Sequence, residues 1–286
     1  MRIIESITEM QQQADAWRRE EKRIGLVPTL GYLHAGHQKL MEAARKHADV
    51  VVMSVFVNPT QFVQGEDFEL YPRDLDHDAR LGNEVGVDVI FAPQVAEMYP
   101  DGYQTHVEVT RITLPLCGRH RPGHFRGVTT VVTKLFNIVK PHIAVFGEKD
   151  FQQLAVVRRM VRDLSMDVKI LSHPIVRETD GLAMSSRNTL LTPEEREQAL
   201  LINRSLREAQ ALVAGGVRSA EEILDRVRSR VSAGKGMNVD YIELRDPESF
   251  EEVARISGPA LLAMAVRIGK TRLIDNCVLQ AAVESP

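Results

Sequence analysis

Residues 50–57 read Val-Val-Val-Met-Ser-Val-Phe-Val, and no other stretch constrains the fold as strongly. The run is mostly β-branched and shows no polar alternation, so as a strand it must be covered on both faces. Strands of that kind belong to parallel sheets with helical crossovers. The neighbouring sequence supplies the crossovers. Residues 24–28 (Ile-Gly-Leu-Val-Pro) form a short buried strand, helical periodicity follows over 37–48, and a polar helical segment spans 73–85. Residues 87–91 make a further strand, stopped by Pro93. The pattern then returns. An apolar helix over 128–139 ends at Pro141, a strand covers 142–146, a helix 150–164 and a strand 168–171. Strand–helix–strand alternation predicts a doubly wound α/β (Rossmann-like) domain with a parallel sheet and right-handed crossovers. Such sheets bind ligands at the carboxyl ends of their strands, so the segments after Val27, Val57 and Phe146 are where chemistry is expected.

The chain has 286 residues, more than one compact domain usually holds. A second pattern begins near Arg177. Thr192-Pro193-Glu194-Glu195 is a helix start, with Thr as N-cap, Pro at the first helical position and Glu at the third. Ala199, Ile202, Leu206, Ala209 and Val213 mark its apolar face, and Gly215-Gly216 ends it. A helix over 219–231 and strands over 239–244, 260–266 and 272–274 follow. The expectation is therefore a domain over 1–176 and a smaller α+β C-terminal domain over 177–286.

Composition narrows the function classes. A net charge of −3 supplies no field for nucleic acid or an anionic membrane. No stretch approaches the roughly 18 apolar residues of a membrane span, and residues 1–13 carry no basic-then-apolar leader. The two cysteines, Cys117 and Cys277, lie far apart and form no metal or redox pair, which suits a reducing, cytoplasmic setting.

The predicted strand ends carry polar clusters. After the first comes Leu30-Gly31-Tyr32-Leu33-His34-Ala35-Gly36-His37, a His-x-Gly-His unit opening a helix. A helix N-terminus offers unpaired N–H groups and the positive end of the dipole, Gly36 allows close backbone approach, and two imidazoles can donate to phosphate oxygens. A zinc site is the weaker reading, because no third and fourth ligands follow at suitable spacing. After Val57 come Asn58 and Gln61, neutral groups able to read hydroxyls or a carboxylate, though Asn58-Pro59 is equally a turn signal. After Phe146 comes Gly147-Glu148-Lys149-Asp150. Lys149 suits a phosphate, and Asp150 suits a ribose hydroxyl or a helix cap. Residues 119–127 pack three arginines and two histidines into a shaped loop, and Met184-Ser185-Ser186-Arg187 stands at the domain junction, where hydroxyls and a guanidinium can clamp a triphosphate. Gly269-Lys270-Thr271 resembles the end of a phosphate-binding loop, but the position five residues earlier is Met264 rather than glycine.

Taken together, His34-Ala35-Gly36-His37 and Met184-Ser185-Ser186-Arg187 resemble the two signatures of the HIGH-type nucleotidyl transferases. PTLGYLHAGH, FVNPTQF, RPGHFRGV, FGEKDFQQL and DGLAMSSRN, in that order, resemble the pantoate–β-alanine ligase family. Ile274-Asp275-Asn276 extends the likeness into the second domain, which the resemblance makes a lid. One departure is visible: the family usually carries methionine where this chain has Leu30.

The resemblance implies ATP-dependent joining of pantoate to β-alanine through a pantoyl adenylate, with Mg²⁺ on the ATP phosphates and a homodimeric assembly. It implies catalytic roles for His34, His37 and Lys149. ATP would meet Leu30, His37, Gly147, Lys149, Asp150, Val176, Met184, Ser185, Ser186 and Arg187, and pantoate would meet Gln61, Gln153, Asn58 and Arg121. Two other readings share features with this one. A cytidylyl- or adenylyltransferase of cofactor biosynthesis would use the same His-x-Gly-His logic, and a nucleotide-binding module would need no turnover. The paired glutamines favour a small hydroxy acid over the former, and the retained His, Lys and Ser-Ser-Arg groups argue against the latter.

Overall fold

Six strands form one parallel sheet in the order β1-β4-β3-β2-β5-β6. They are β1 (Arg2–Ile4), β2 (Ile24–Thr29), β3 (Val50–Val55), β4 (Val89–Phe91), β5 (Ile143–Gly147) and β6 (Lys169–His173). The structure, a computed structural model, describes residues 1–62, 68–69 and 71–281. The interleaved helices are α1 (Ile7–Arg19), α2 (Ala35–Arg45), α3 (Leu75–Glu84), α4 (His124–Val139) and α5 (Phe151–Asp163).

The placement of side chains shows why the apolar runs lack a polar alternation. Ile24, Leu26, Val50, Val52, Val89, Phe91, Ala144 and Phe146 pack on one face, with Met10, Ala14 and Trp17 of α1 and much of α4. Val27, Val51, Met53, Ile90 and Val145 pack on the other, with Met41 and Ala44 of α2. β2, β3, β4 and β5 thus have packed side chains on both faces, as residues 50–57 require. Strand order runs outward from β2 to β3 and β4, then restarts at β5 on β2's other side. The reversal lies between the carboxyl ends of β2 and β5, where open α/β sheets hold their ligands.

The chain divides into two compact units. One comprises Met1–Thr113, Arg121–Glu148 and Gln152–Val176. The other comprises Leu114–His120, Lys149–Phe151 and Arg177–Pro286. Two short pieces of the region before residue 177, one of them holding Lys149, therefore pack with the second unit. That unit is a three-stranded antiparallel sheet, β7 (Met237–Arg245), β8 (Ala260–Ile268) and β9 (Thr271–Leu279), joined by α6 (Pro193–Ala214) and α7 (Ala220–Ser232). Its core is built by Ile202, Leu206 and Val213 of α6, Ile223 and Val227 of α7, and Leu262, Met264 and Val266 of β8. The predicted capping box is present: Thr192 accepts from the Glu195 amide and Glu195 accepts from the Thr192 amide.

Several boundaries differ from the sequence reading. β1 and α1 were not predicted, β9 is nine residues long rather than three, and α4 starts at His124. The basic stretch 119–127 is thus only partly a loop. It is flanked by a one-turn helix (Cys117–His120) and runs into the first turn of α4. Among the described residues no helix is long and apolar enough to cross a membrane.

Candidate functional site

The turn from β2 into α2 carries the histidine pair. His34 is the N-cap of α2, and its Nδ1 accepts from the Gly36 amide at 3.1 Å. His37, three residues on, returns the contact: its Nδ1 accepts from the His34 amide at 3.3 Å. This is a capping box built from two imidazoles. The chemical consequence concerns the tautomer. An imidazole nitrogen that accepts carries no proton, so each neutral ring bears its hydrogen on Nε2. The rings lie 4.1 Å apart, centroid to centroid. Two N–H donors thus stand together at the positive end of a helix, an arrangement suited to an anion.

After β3, Asn58 and Gln61 occupy a short 3₁₀ turn, Pro59–Gln61. Asn58 is fully buried. Its Nδ2 donates to Gln61 Oε1 and to the Gly127 carbonyl, both at 3.1 Å. Its Oδ1 accepts from the Thr60 amide, the Thr60 hydroxyl and the Tyr99 hydroxyl. The Asn58 side chain is therefore committed to orienting this turn and Gln61. Burial pushes the Tyr99 hydroxyl pKa up to about 12, so it stays a donor to Asn58 at neutral pH. Arg121 and His124 brace the same turn. An Arg121 Nη1 lies 3.1 Å from His124 Nε2, and His124 Nδ1 lies 2.7 Å from the Gln61 carbonyl, which also accepts from Arg121 Nη2. On α5, Gln153 is half-buried, while its neighbour Gln152 is buried and donates to the Ile112 carbonyl at 3.0 Å. Leu30, Gly147 and Val176, at or beyond the ends of β2, β5 and β6, are each half-buried in the first unit.

The second unit gathers the remaining candidates. Lys149 packs there with Asp150, and its carbonyl accepts from Asn276 Nδ2 at 2.9 Å. Desolvation holds the Lys149 pKa below its usual value; Asp150 opposes that effect, Arg187 adds to it, and Asp275 opposes it. Lys149 is half-buried, and a partly desolvated ammonium interacts more strongly with an anion that reaches it than one in bulk water does. Lys149, Ser185, Asn188 and Asp275 line one small cavity. Ser185 caps the short helix Ser186–Leu190, its hydroxyl accepting from the Arg187 amide at 3.3 Å. Met184, Ser186 and Arg187 flank it, each half-buried. Asp275 is buried and takes both Arg177 guanidinium nitrogens, at 2.6 and 3.0 Å. The two units therefore contribute separate sets: the histidines, the glutamines, Asn58 and Arg121 in the first, and Lys149, Asp150 and the Ser-Ser-Arg segment in the second.

Sequence reasoning missed Asp78. It sits on α3, is 1% exposed, and accepts the Tyr32 and Leu33 amides in the turn that precedes His34. The available signal was its place on the buried face of a helix, between Leu75 and Gly82 at helical spacing. Among the described residues, no three His, Cys, Asp or Glu side chains gather into a metal site.

Known proteins resemble this chain along nearly its whole length. The family model described as pantoate-beta-alanine ligase matches residues 2–278. The chain is 63% identical to the pantothenate synthetase of Syntrophobacter fumaroxidans, with 99% of this chain and 100% of that one aligned. The crystal structure of pantothenate synthetase from Thermus thermophilus superposes with a TM-score of 0.92 at 45% identity, covering 97% of this chain and 99% of that one. The pantoate-beta-alanine ligase of Francisella tularensis, solved in complex with beta-gamma ATP and beta-alanine, gives a TM-score of 0.80 at 35% identity over 97% of each chain. With nearly its whole length matched, this chain is an enzyme of the pantoate–beta-alanine ligase family.

Proposed function

We propose that the enzyme condenses pantoate with β-alanine in two steps, using ATP. In the first, a pantoate carboxylate oxygen attacks the α-phosphorus, and the bond to the β-phosphate bridging oxygen breaks to release pyrophosphate. In the second, the amine of β-alanine attacks the acyl carbon of pantoyl adenylate. AMP departs, and the amine proton passes to solvent. The substrate supplies its own nucleophile in each step, so the protein's task is positioning and charge stabilisation.

The observation that carries this reading is the His34–His37 capping box at the carboxyl end of β2. It aims two Nε2–H donors without any need for reorganisation during the reaction, the arrangement that stabilises growing phosphate charge. His34 and His37 would donate to phosphate oxygens. Lys149, with its desolvated ammonium, would meet a phosphate, and Ser185, Ser186 and Arg187 would hold the triphosphate. Asp150 and the Gly147 backbone would meet the ribose, and Leu30, Val176 and Met184 the rest of the nucleotide. Gln61 and Gln153 would read the pantoate hydroxyls and carboxylate, aided by Arg121. Asn58, with its donors and acceptors spent on the turn, would act by fixing Gln61. Mg²⁺ would arrive on the nucleotide phosphates.

The test incubates enzyme, MgATP and pantoate with and without β-alanine, following pyrophosphate and AMP separately. AMP and pantothenate formed at turnover only with the amine present is the expected result. Sustained pyrophosphate release that ignores the amine would refute the two-step ligation. Folded H34A and H37A variants should lose the pyrophosphate-forming step; near-normal rates would remove both histidines from the chemistry.

A further inference from the structure

Four consecutive amides connect β2 to α2, and each has its own acceptor. The Gly31 amide donates to Thr29 Oγ1 at 3.1 Å, and that hydroxyl donates in turn to the Ser54 carbonyl at 2.7 Å. The Tyr32 amide donates to Asp78 Oδ2 at 2.9 Å and the Leu33 amide to Asp78 Oδ1 at 2.7 Å. The His34 amide donates to His37 Nδ1. The turn also bends against ordinary preference. Gly31 has φ +87° and Tyr32, with a full side chain, has φ +51°. A non-glycine residue takes that conformation uncommonly and at a cost, which neighbouring contacts can offset. Here the contacts come from one buried carboxylate. It also takes His77 Nδ1 at 3.3 Å, and a Cβ on Gly31 would come within 2.9 Å of its Oδ2.

We propose that Asp78 is a positioning residue for the reaction: by gripping the Tyr32 and Leu33 amides it sets where the His34–His37 pair stands. It touches no reacting atom and acts through the histidines, so the inference rests on the roles given to them above. The charge state matters as well as the shape. Both carboxylate oxygens accept, whereas an asparagine would turn an N–H group toward one of the two amides, donor against donor.

The experiment is a double-mutant cycle on the first step, measured as single-turnover pyrophosphate release from pantoate and MgATP. Asp78→Asn should fold, with its melting transition above the assay temperature, and release pyrophosphate at least about tenfold more slowly per folded molecule. In the background of His37→Ala, the same substitution should cost less than about twofold, because the group it positions is already gone. An Asp78→Asn enzyme at the wild-type rate, or losses that multiply independently in the double variant, would overturn the proposal. If His37→Ala alone kept its activity, the reading of the histidines would fail instead, and the cycle separates that case. Should Asp78→Asn not fold, hydrogen exchange in the unmodified protein decides. The Tyr32 and Leu33 amides should exchange as slowly as those of β2, and exchange at free-loop rates would refute the grip.

Discussion

Gly127 lies in the first turns of α4, pressed against the turn that carries Gln61. A Cβ placed there would meet the Thr60 carbonyl oxygen at 2.2 Å, its carbon at 2.5 Å and the Gln61 amide nitrogen at 2.6 Å. All three are backbone atoms, which cannot rotate away as a side-chain tip can. Ordinary contact begins at 3.4 Å, so Gly127→Ala must drive the Thr60–Gln61 peptide or α4 back by more than about 1 Å. Alanine gains about 1 kcal/mol of helix propensity at such a position, while forced overpacking costs about 1–3 kcal/mol, and a clash with backbone belongs at the upper end. We expect a folded variant destabilised by about 1–2 kcal/mol. The effect on the reaction should be larger. The displacement strains the Asn58 bond to the Gly127 carbonyl and moves Gln61, and a misplacement of about 1 Å can cost up to about 100-fold. The assay is the pantoate dependence of initial pyrophosphate release, with urea unfolding on the same preparation. Gly258→Ala, where an added Cβ meets nothing, is the control. A Gly127→Ala enzyme with unchanged pantoate KM, kcat and stability would refute both the packing argument and the placement of Gln61.

Two further outcomes follow from burial and charge. Lys149→Met should abolish turnover yet stabilise the fold by about 1 kcal/mol at neutral pH. The Lys149 pKa is lowered, so the cost of its desolvated charge is present in full below its folded pKa and fades as pH rises toward its ordinary 10.5. The stability gap between variant and parent, read from urea midpoints, should narrow over that window, and a variant less stable than the parent at neutral pH would contradict the cause assigned. For Cys277, burial, helped by Asp275 and opposed by Arg177, pushes the thiol up to about 12. At about pH 8 only about one molecule in ten thousand would be thiolate, so iodoacetamide should label Cys277 at least about 100-fold more slowly in the native protein than in urea. Equal rates would show that the thiol is not held neutral.

The parallel sheet was legible because its interior strands show no polar alternation to mislead: residues 50–57 hold one polar side chain, Ser54, and it is buried. β1 and α1 escaped notice for the opposite reason. β1 is three residues long, with only Ile4 buried, and α1 is polar around a narrow stripe of Met10, Ala14 and Trp17. β9 was cut short because Asp275 and Asn276 are buried in mid-strand, where pattern reading expects apolar residues. In the site, the polar clusters were visible because strand ends predict ligands. What the sequence concealed was support from far along the chain. Asp78 takes amides 46 and 45 residues away, and nothing local to residue 78 announces that. The box formed by His34 and His37 was hidden for another reason: histidine is not among the residues known for capping helices, so its double use as cap and donor appears only in the hydrogen bonds.

The placement of Lys149 has a consequence for synthesis of the chain. Its carbonyl is held by Asn276, 127 residues downstream. At roughly 5–20 residues per second, a ribosome adds that partner on the order of 6–25 s after the lysine. During that interval β1 to β5 have already been made, while the three residues from Lys149 to Phe151 wait for the strand against which they pack. The newborn polypeptide therefore acquires its histidine pair early and the surroundings of Lys149 among the last things made, so translation stalled before residue 275 would leave a sheet with its imidazoles in place and a lysine still in water.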